Sequence, residues 1–151
     1  MAETPSLILR IGAGKAAGLV IGLIGFFVMP LLAPDTDLLL RWGILLWYTT
    51  MGAIIGVFGI FDHHPVLQFR MPWWIRGPLL GAWMNFVIVF FTYDMMAAFM
   101  NGLLGGPDVW TSPFWLVPEG AVVGMVIGYV ATRVGGEGPA ALEADLKRTG
   151  G

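Results

Sequence analysis

Between its charged positions the chain runs apolar for long stretches. Residues 16–34, 42–61, 77–93 and 120–132 contain no Asp, Glu, Lys or Arg, and after Asp94 the apolar character resumes as far as Met100. A helix needs roughly 20 residues, at about 1.5 Å each, to cross about 30 Å of hydrocarbon. The runs therefore predict four spanning helices at 11–33, 39–62, 77–103 and 114–134. None of them alternates apolar with polar at every second position, as the strands of a membrane barrel do. The expected fold is all-α: a polytopic bundle of four transmembrane helices over residues 1–134, followed by a polar tail over 135–151.

The breaks between runs carry helix punctuation. Pro30 and Pro34 stand near the end of helix 1, and Asp35, Thr36 and Asp37 offer N-caps for helix 2. Pro65 cannot continue helix 2. Gly77-Pro78 reads as the opening of helix 3, and Asn101-Gly102 with Gly105-Gly106-Pro107 as its close. Helix 4 has two possible starts, Ser112 capping Pro113 or Val117 capping Pro118.

Composition excludes the alternatives to a membrane protein. Hydrophobic residues make up 57% and charged residues 12% of the 151, against about 45–50% and about 25% in an ordinary soluble domain. So little charge cannot coat a small globule. The net charge of -2 supplies no basic field for nucleic acid, so the expected surroundings are lipid and membrane proteins. With no cysteine, disulfides, thiolate metal sites and cysteine nucleophiles are excluded. The first apolar run reads as a retained span: Glu3 precedes the first basic residue, and the run after Lys15 exceeds a signal peptide's core of about 7–15 residues.

Four spans bring both ends of the chain to one side. Arg10, Lys15, Arg70, Arg76, Arg133, Lys147 and Arg148 fall there, and only Arg41 falls on the other. The positive-inside rule then predicts cytoplasmic termini in a cell membrane, of the bacterial inner-membrane type. Trp73 and Trp74 at one interface and Trp42, Trp110 and Trp115 at the other suit aromatic belts, with Arg70 and Arg76 snorkelling. Residues 139–148 could form a short surface helix.

Glycines recur at spacings of four. Gly14, Gly18 and Gly22 mark one face of helix 1, Gly52 and Gly56 one of helix 2, and Gly120, Gly124 and Gly128 one of helix 4. Helices in lipid associate by close packing, which small residues permit. Helices 1 and 2 are expected to meet most closely near Gly22 and Gly52. The helix 4 face is expected to pack either within the monomer or in a homo-oligomer. The segments around these glycines also resemble one another, as a trace of duplication would.

Polar residues within spans are costly and point to function. Asp94, Glu119 and Arg41 fall near one depth and could cluster as an ion or solute path, with Asn85 on the same helix as Asp94. Each also has a plain structural use. Arg41 can pair with Asp37 four residues earlier, Glu119 can sit at a helix N-terminus, and Asn85 can hydrogen-bond across helices. His63 and His64 beside Asp62 are candidates for a metal, but adjacent residues on a helix point about 100° apart. Met95, Met96 and Met100 suit packing better than copper. Gly12-Ala13-Gly14-Lys15 is a fragment of a phosphate loop that lacks the following Ser or Thr. No metal and no other cofactor is expected.

No nucleophile–base arrangement is visible, so no enzyme activity is expected. The first expectation is an accessory or packing subunit of a membrane complex. The second is a small channel or transporter centred on Asp94.

Overall fold

The computed structural model describes residues 5–64, 66, 68–105 and 110–149. It is all-α. Helices α1 (Leu7–Leu32), α2 (Leu38–Phe58), α3 (Trp73–Leu104) and α4 (Leu116–Gly135) are followed by a short α5 (Pro139–Thr149). A single 3-10 turn, Pro113–Trp115, leads into α4. Four segments are long and apolar enough to cross a membrane: Leu7–Leu32, Leu38–Phe58, Trp73–Leu104 and Pro113–Gly135. The expected break at 104–112 falls partly outside the described residues, as does Pro65.

The helix ends follow local chemistry. The Ser6 hydroxyl accepts from the Leu9 N–H at 3.3 Å, so α1 starts at Leu7 and takes Arg10 into its first turns. The Asp37 carboxylate caps α2 through the Leu39 N–H at 3.2 Å. Gly105, with φ of 55°, ends α3 in the left-handed conformation that glycine tolerates best. Of the two expected starts the earlier one holds: Ser112 precedes the 3-10 turn that Pro113 opens, whereas Val117 lies inside α4 with Pro118 in its first turn. A helix's first N–H groups have no partner there, so proline forfeits nothing.

Three boundaries depart from the expected ones by four residues: α1 starts at Leu7 rather than 11, and the end of α2 and the start of α3 also move. Helix α2 stops at Phe58 rather than near 62 and tightens into a turn in which the N–H groups of Gly59, Ile60 and Phe61 donate to Gly56, Val57 and Phe58; two arginine side chains reach the carbonyls of Gly56, Gly59 and Phe61. Helix α3 starts at Trp73, so Pro78 lies inside it rather than at its opening. Proline lacks the N–H that would reach four residues back, so the helical bond to the Trp74 carbonyl is not made.

The bundle is two antiparallel hairpins, α1 with α2 and α3 with α4, joined mainly through α1 against α4. Backbone touches backbone along both seams. A Cβ on Gly14 or Gly18 would collide with Gly52 or Tyr48, and one on Gly22 would come 2.8 Å from the Leu45 carbonyl oxygen. The closest approach expected at Gly22 and Gly52 is therefore displaced. In an antiparallel pair each step up α1 is a step down α2, so Gly52 faces Gly14 and Gly18, and Gly22 faces Leu45. In the second hairpin Gly77 and Gly81 of α3 face Gly120, Gly124 and Gly128 of α4, and a Cβ on Gly77 would come 2.5 Å from the Gly124 carbonyl oxygen. The α4 glycines thus meet α3 of the same chain. Where the hairpins join, Met51, Ile55 and Ile127 form a buried centre packed by Ala17, Ile21, Leu80, Met84 and Val123.

Candidate functional site

Helices α2 and α3 touch little, and their separation opens a cleft of about 1240 Å³. Its walls are mostly apolar and come from α1, α2 and α3, with Leu116 and Glu119 of α4 behind. The deep end is polar. Asn85 is 2% exposed and is the hub: its Nδ2 donates to the Leu116 carbonyl at 2.8 Å and to Glu119 Oε2 at 2.7 Å. Its Oδ1 accepts from Trp47 Nε1 at 2.9 Å. The Tyr48 hydroxyl lies 2.9 Å from Glu119 Oε1 and 2.8 Å from Oε2. Side chains of α2 and α3 thus pin one carboxylate of α4, which still faces the cleft.

Local structure places this cluster. Glu119 lies in the first turn of α4, where the helix dipole favours a negative charge. Gly120 next to it lets α3 come close; a Cβ there would stand 2.7 Å from the Asn85 amide carbon. Asn85 follows Gly77 and Gly81 at the same spacing of four, so it lies on the seam face of α3.

The four residues suspected of forming an ion or solute path separate. Asn85 and Glu119 meet. Asp94 is exposed, lies outside the cleft lining, and has no hydrogen-bond or ion-pair partner among the described residues. Arg41 joins neither acid. Its Nε donates to the Phe26 carbonyl at 2.9 Å and its guanidinium lies 4.3 Å from the centre of the Phe26 ring. The cause is Pro30, four residues after Phe26: it has no N–H, so the Phe26 carbonyl lacks its helical donor. Asp37 caps α2 instead of pairing with Arg41.

The histidines diverge. His63 Nδ1 lies 3.0 Å from Asp62 Oδ1, and this contact holds the Asp62 carboxyl below its ordinary range. The His64 ring stacks on Phe69 and its Nδ1 accepts from the Val66 N–H at 3.2 Å. Among the described residues no three His, Asp or Glu side chains converge as a metal site would require.

Arg76, expected to snorkel, and Arg10 are both buried at the end of the bundle where α1 begins and α4 ends. Arg10 is 1% exposed and donates to the Gly56 carbonyl at 3.1 Å, to Thr132 Oγ1 at 3.0 Å and to the Gly136 carbonyl. Arg76 is 3% exposed and donates to the carbonyls of Phe61, Met71 and Gly59 and to Glu137 Oε1 at 2.6 Å. A five-donor fork suits carbonyls left free at helix ends. Gly59 and Gly135 make room for Arg10, since a Cβ at either would overlap its side chain. Helix α5 docks alongside: Asp145 accepts from the Ile8 N–H and the Ser6 hydroxyl, both at 3.1 Å.

Sequence reasoning missed Tyr48 and Trp47, whose polar atoms look ordinary in an aromatic-rich helix. It also missed Gly77 and Gly81, although their spacing of four was visible. No protein-family model, curated protein or solved structure matches the chain.

Proposed function

We propose that this is a non-catalytic multi-pass membrane protein that holds or moves an amphiphilic solute in the cleft between α2 and α3. One observation carries the reading: the large apolar opening ends on the Glu119–Asn85–Tyr48–Trp47 cluster. Binding sites for small molecules combine apolar walls with a few convergent polar groups in this way. The polar centre of a transport path is then Glu119, not Asp94. The glycine seams supply rigidity, because two backbone-to-backbone hairpins resist shear while α2 and α3 stay apart. Both termini face the cytoplasm of an inner membrane, on the distribution of the eight Lys and Arg residues.

Gly43 provides the test. It lines the cleft and a Cβ there would meet nothing within 4 Å, so Gly43→Leu fills the opening without disturbing a seam. Protein extracted in mild detergent should carry an amphiphile, detected by mass spectrometry, that is depleted in Gly43→Leu. An identical complement of bound amphiphiles in the two proteins would overturn the reading.

An accessory or self-associating subunit is the second reading, favoured by α3. Its 32 residues span about 48 Å, more than the hydrocarbon thickness of about 30 Å. Its outer part presents Phe90 and Phe91, 65% and 84% exposed. Native electrophoresis in mild detergent should show a larger species that Phe91→Ala dissolves if this surface holds a partner.

A further inference from the structure

The charge lining the cleft is one-sided. Asp35, Asp37 and Glu119 line it, and no Lys, Arg or His does among the described residues. The basic residue closest in sequence on that side, Arg41, is committed to the Phe26 carbonyl and ring. Glu119 makes no ion pair among the described residues, and its hydrogen bonds come from the neutral groups of Tyr48 and Asn85. A carboxylate facing an apolar space is costly until a cation reaches it. Tyr48 and Asn85 fix its orientation in advance, so little ordering remains when a partner arrives. Resting on the reading of the cleft as a solute site, we propose that its occupant is an amphiphilic cation, a hydrocarbon chain bearing one ammonium group. The ammonium lies against Glu119, and the chain lies along Ile21, Ile44, Ile88 and Met96. Asp35 and Asp37, on the connection into α2, draw the cation to the mouth.

The experiment uses the whole chain in nanodiscs of zwitterionic lipid, with dodecyltrimethylammonium and dodecanol as probes. The readout is the indole N–H resonance of Trp47, assigned by its disappearance in Trp47→Phe. That N–H bonds to Asn85 at the deep end of the cleft and senses its occupation. The ammonium probe should shift the resonance saturably, and Glu119→Gln, which keeps size and hydrogen-bonding oxygen, should weaken it about tenfold, the size of one charge-assisted contact. Dodecanol should bind more weakly and be indifferent to Glu119→Gln. Asp94→Asn, outside the cleft, should leave ammonium binding unchanged, and Gly43→Leu should abolish the response to both probes. Equal midpoints for the two probes, unaffected by Glu119→Gln but abolished by Gly43→Leu, would overturn the cationic occupant and leave the solute site standing. No saturable shift with either probe would overturn both.

Discussion

Gly124→Ala loads the α3–α4 seam against backbone. The added methyl would stand 3.0 Å from the Gly77 carbonyl carbon and 3.0 Å from the Gly81 Cα, with the Gly77 carbonyl oxygen nearer than either. All three are backbone atoms of α3, so no change of rotamer makes room. Ordinary contact needs about 3.5–4.0 Å, so the helices part by roughly 1 Å. Overpacking of this kind costs about 1–3 kcal/mol, and the upper end applies because the obstacle is main chain. Alanine's better helix propensity returns about 1 kcal/mol, leaving a net loss of about 2 kcal/mol. Gly43→Ala is the same chemical change with nothing within 4 Å of the new methyl. It should show the propensity gain alone, about 1 kcal/mol of stabilisation. Reversible unfolding in mixed micelles, followed by helix circular dichroism against the fraction of denaturing detergent, reads both. The two midpoints should move in opposite directions. If both variants shift the same way by the same amount, the close backbone contact is not what holds α3 to α4.

Arg10→Met keeps the aliphatic stem but strips the donors from the Gly56 and Gly136 carbonyls and from Thr132. It should cost about 2–4 kcal/mol in the same micelles, as loss of a buried hydrogen-bonding charge does, and a change under about 0.5 kcal/mol would contradict the buried network. The N–H of Ile8 first, then the Ser6 hydroxyl, holds the Asp145 carboxyl below its ordinary value of 3.8. A folded-state value lower than the unfolded one makes this contact fully stabilising above the ordinary value, with the benefit lost as pH falls through the lowered one. The exchange protection factor of the Ile8 amide should therefore hold near neutrality and drop in acid, and should be low at every pH in Asp145→Ala. Asp94→Asn removes an exposed charge with no partner among the described residues and should change stability by less than about 0.5 kcal/mol; a larger loss in micelles would reveal a contact that the fold does not show.

The candidate site was half legible. Asn85 and Glu119 stood out because a polar side chain in an apolar run needs a reason, and that reason can be asked of the sequence alone. Their meeting could not be read there, because it depends on which face of α3 turns toward α4. Nor does the depth expected to be common to Arg41, Asp94 and Glu119 hold: Glu119 meets Tyr48 and Asn85, which stand about 10 Å from Arg41 and about 14 Å from Asp94 along their helices. Pro30 advertises an orphaned carbonyl at Phe26, but only the docking of α2 against α1 delivers the Arg41 guanidinium to it. Arg76, expected to snorkel, misled for a related reason. A guanidinium near a helix end can reach water or can reach the bare carbonyls of neighbouring helix ends, and the choice belongs to the neighbours.

By itself the sequence determined the class of solvent and the number of helices, because charge is excluded from hydrocarbon and a helix rises by a constant step per residue. It also displayed the glycine faces, which follow from the period of the helix. Tertiary structure alone decided the register of each seam, the pairing of the α4 glycines with Gly77 and Gly81, and the gap left between α2 and α3. Those outcomes depend on which faces meet and at what offset, and apolar side chains in lipid express no strong preference between one offset and the next until backbones touch.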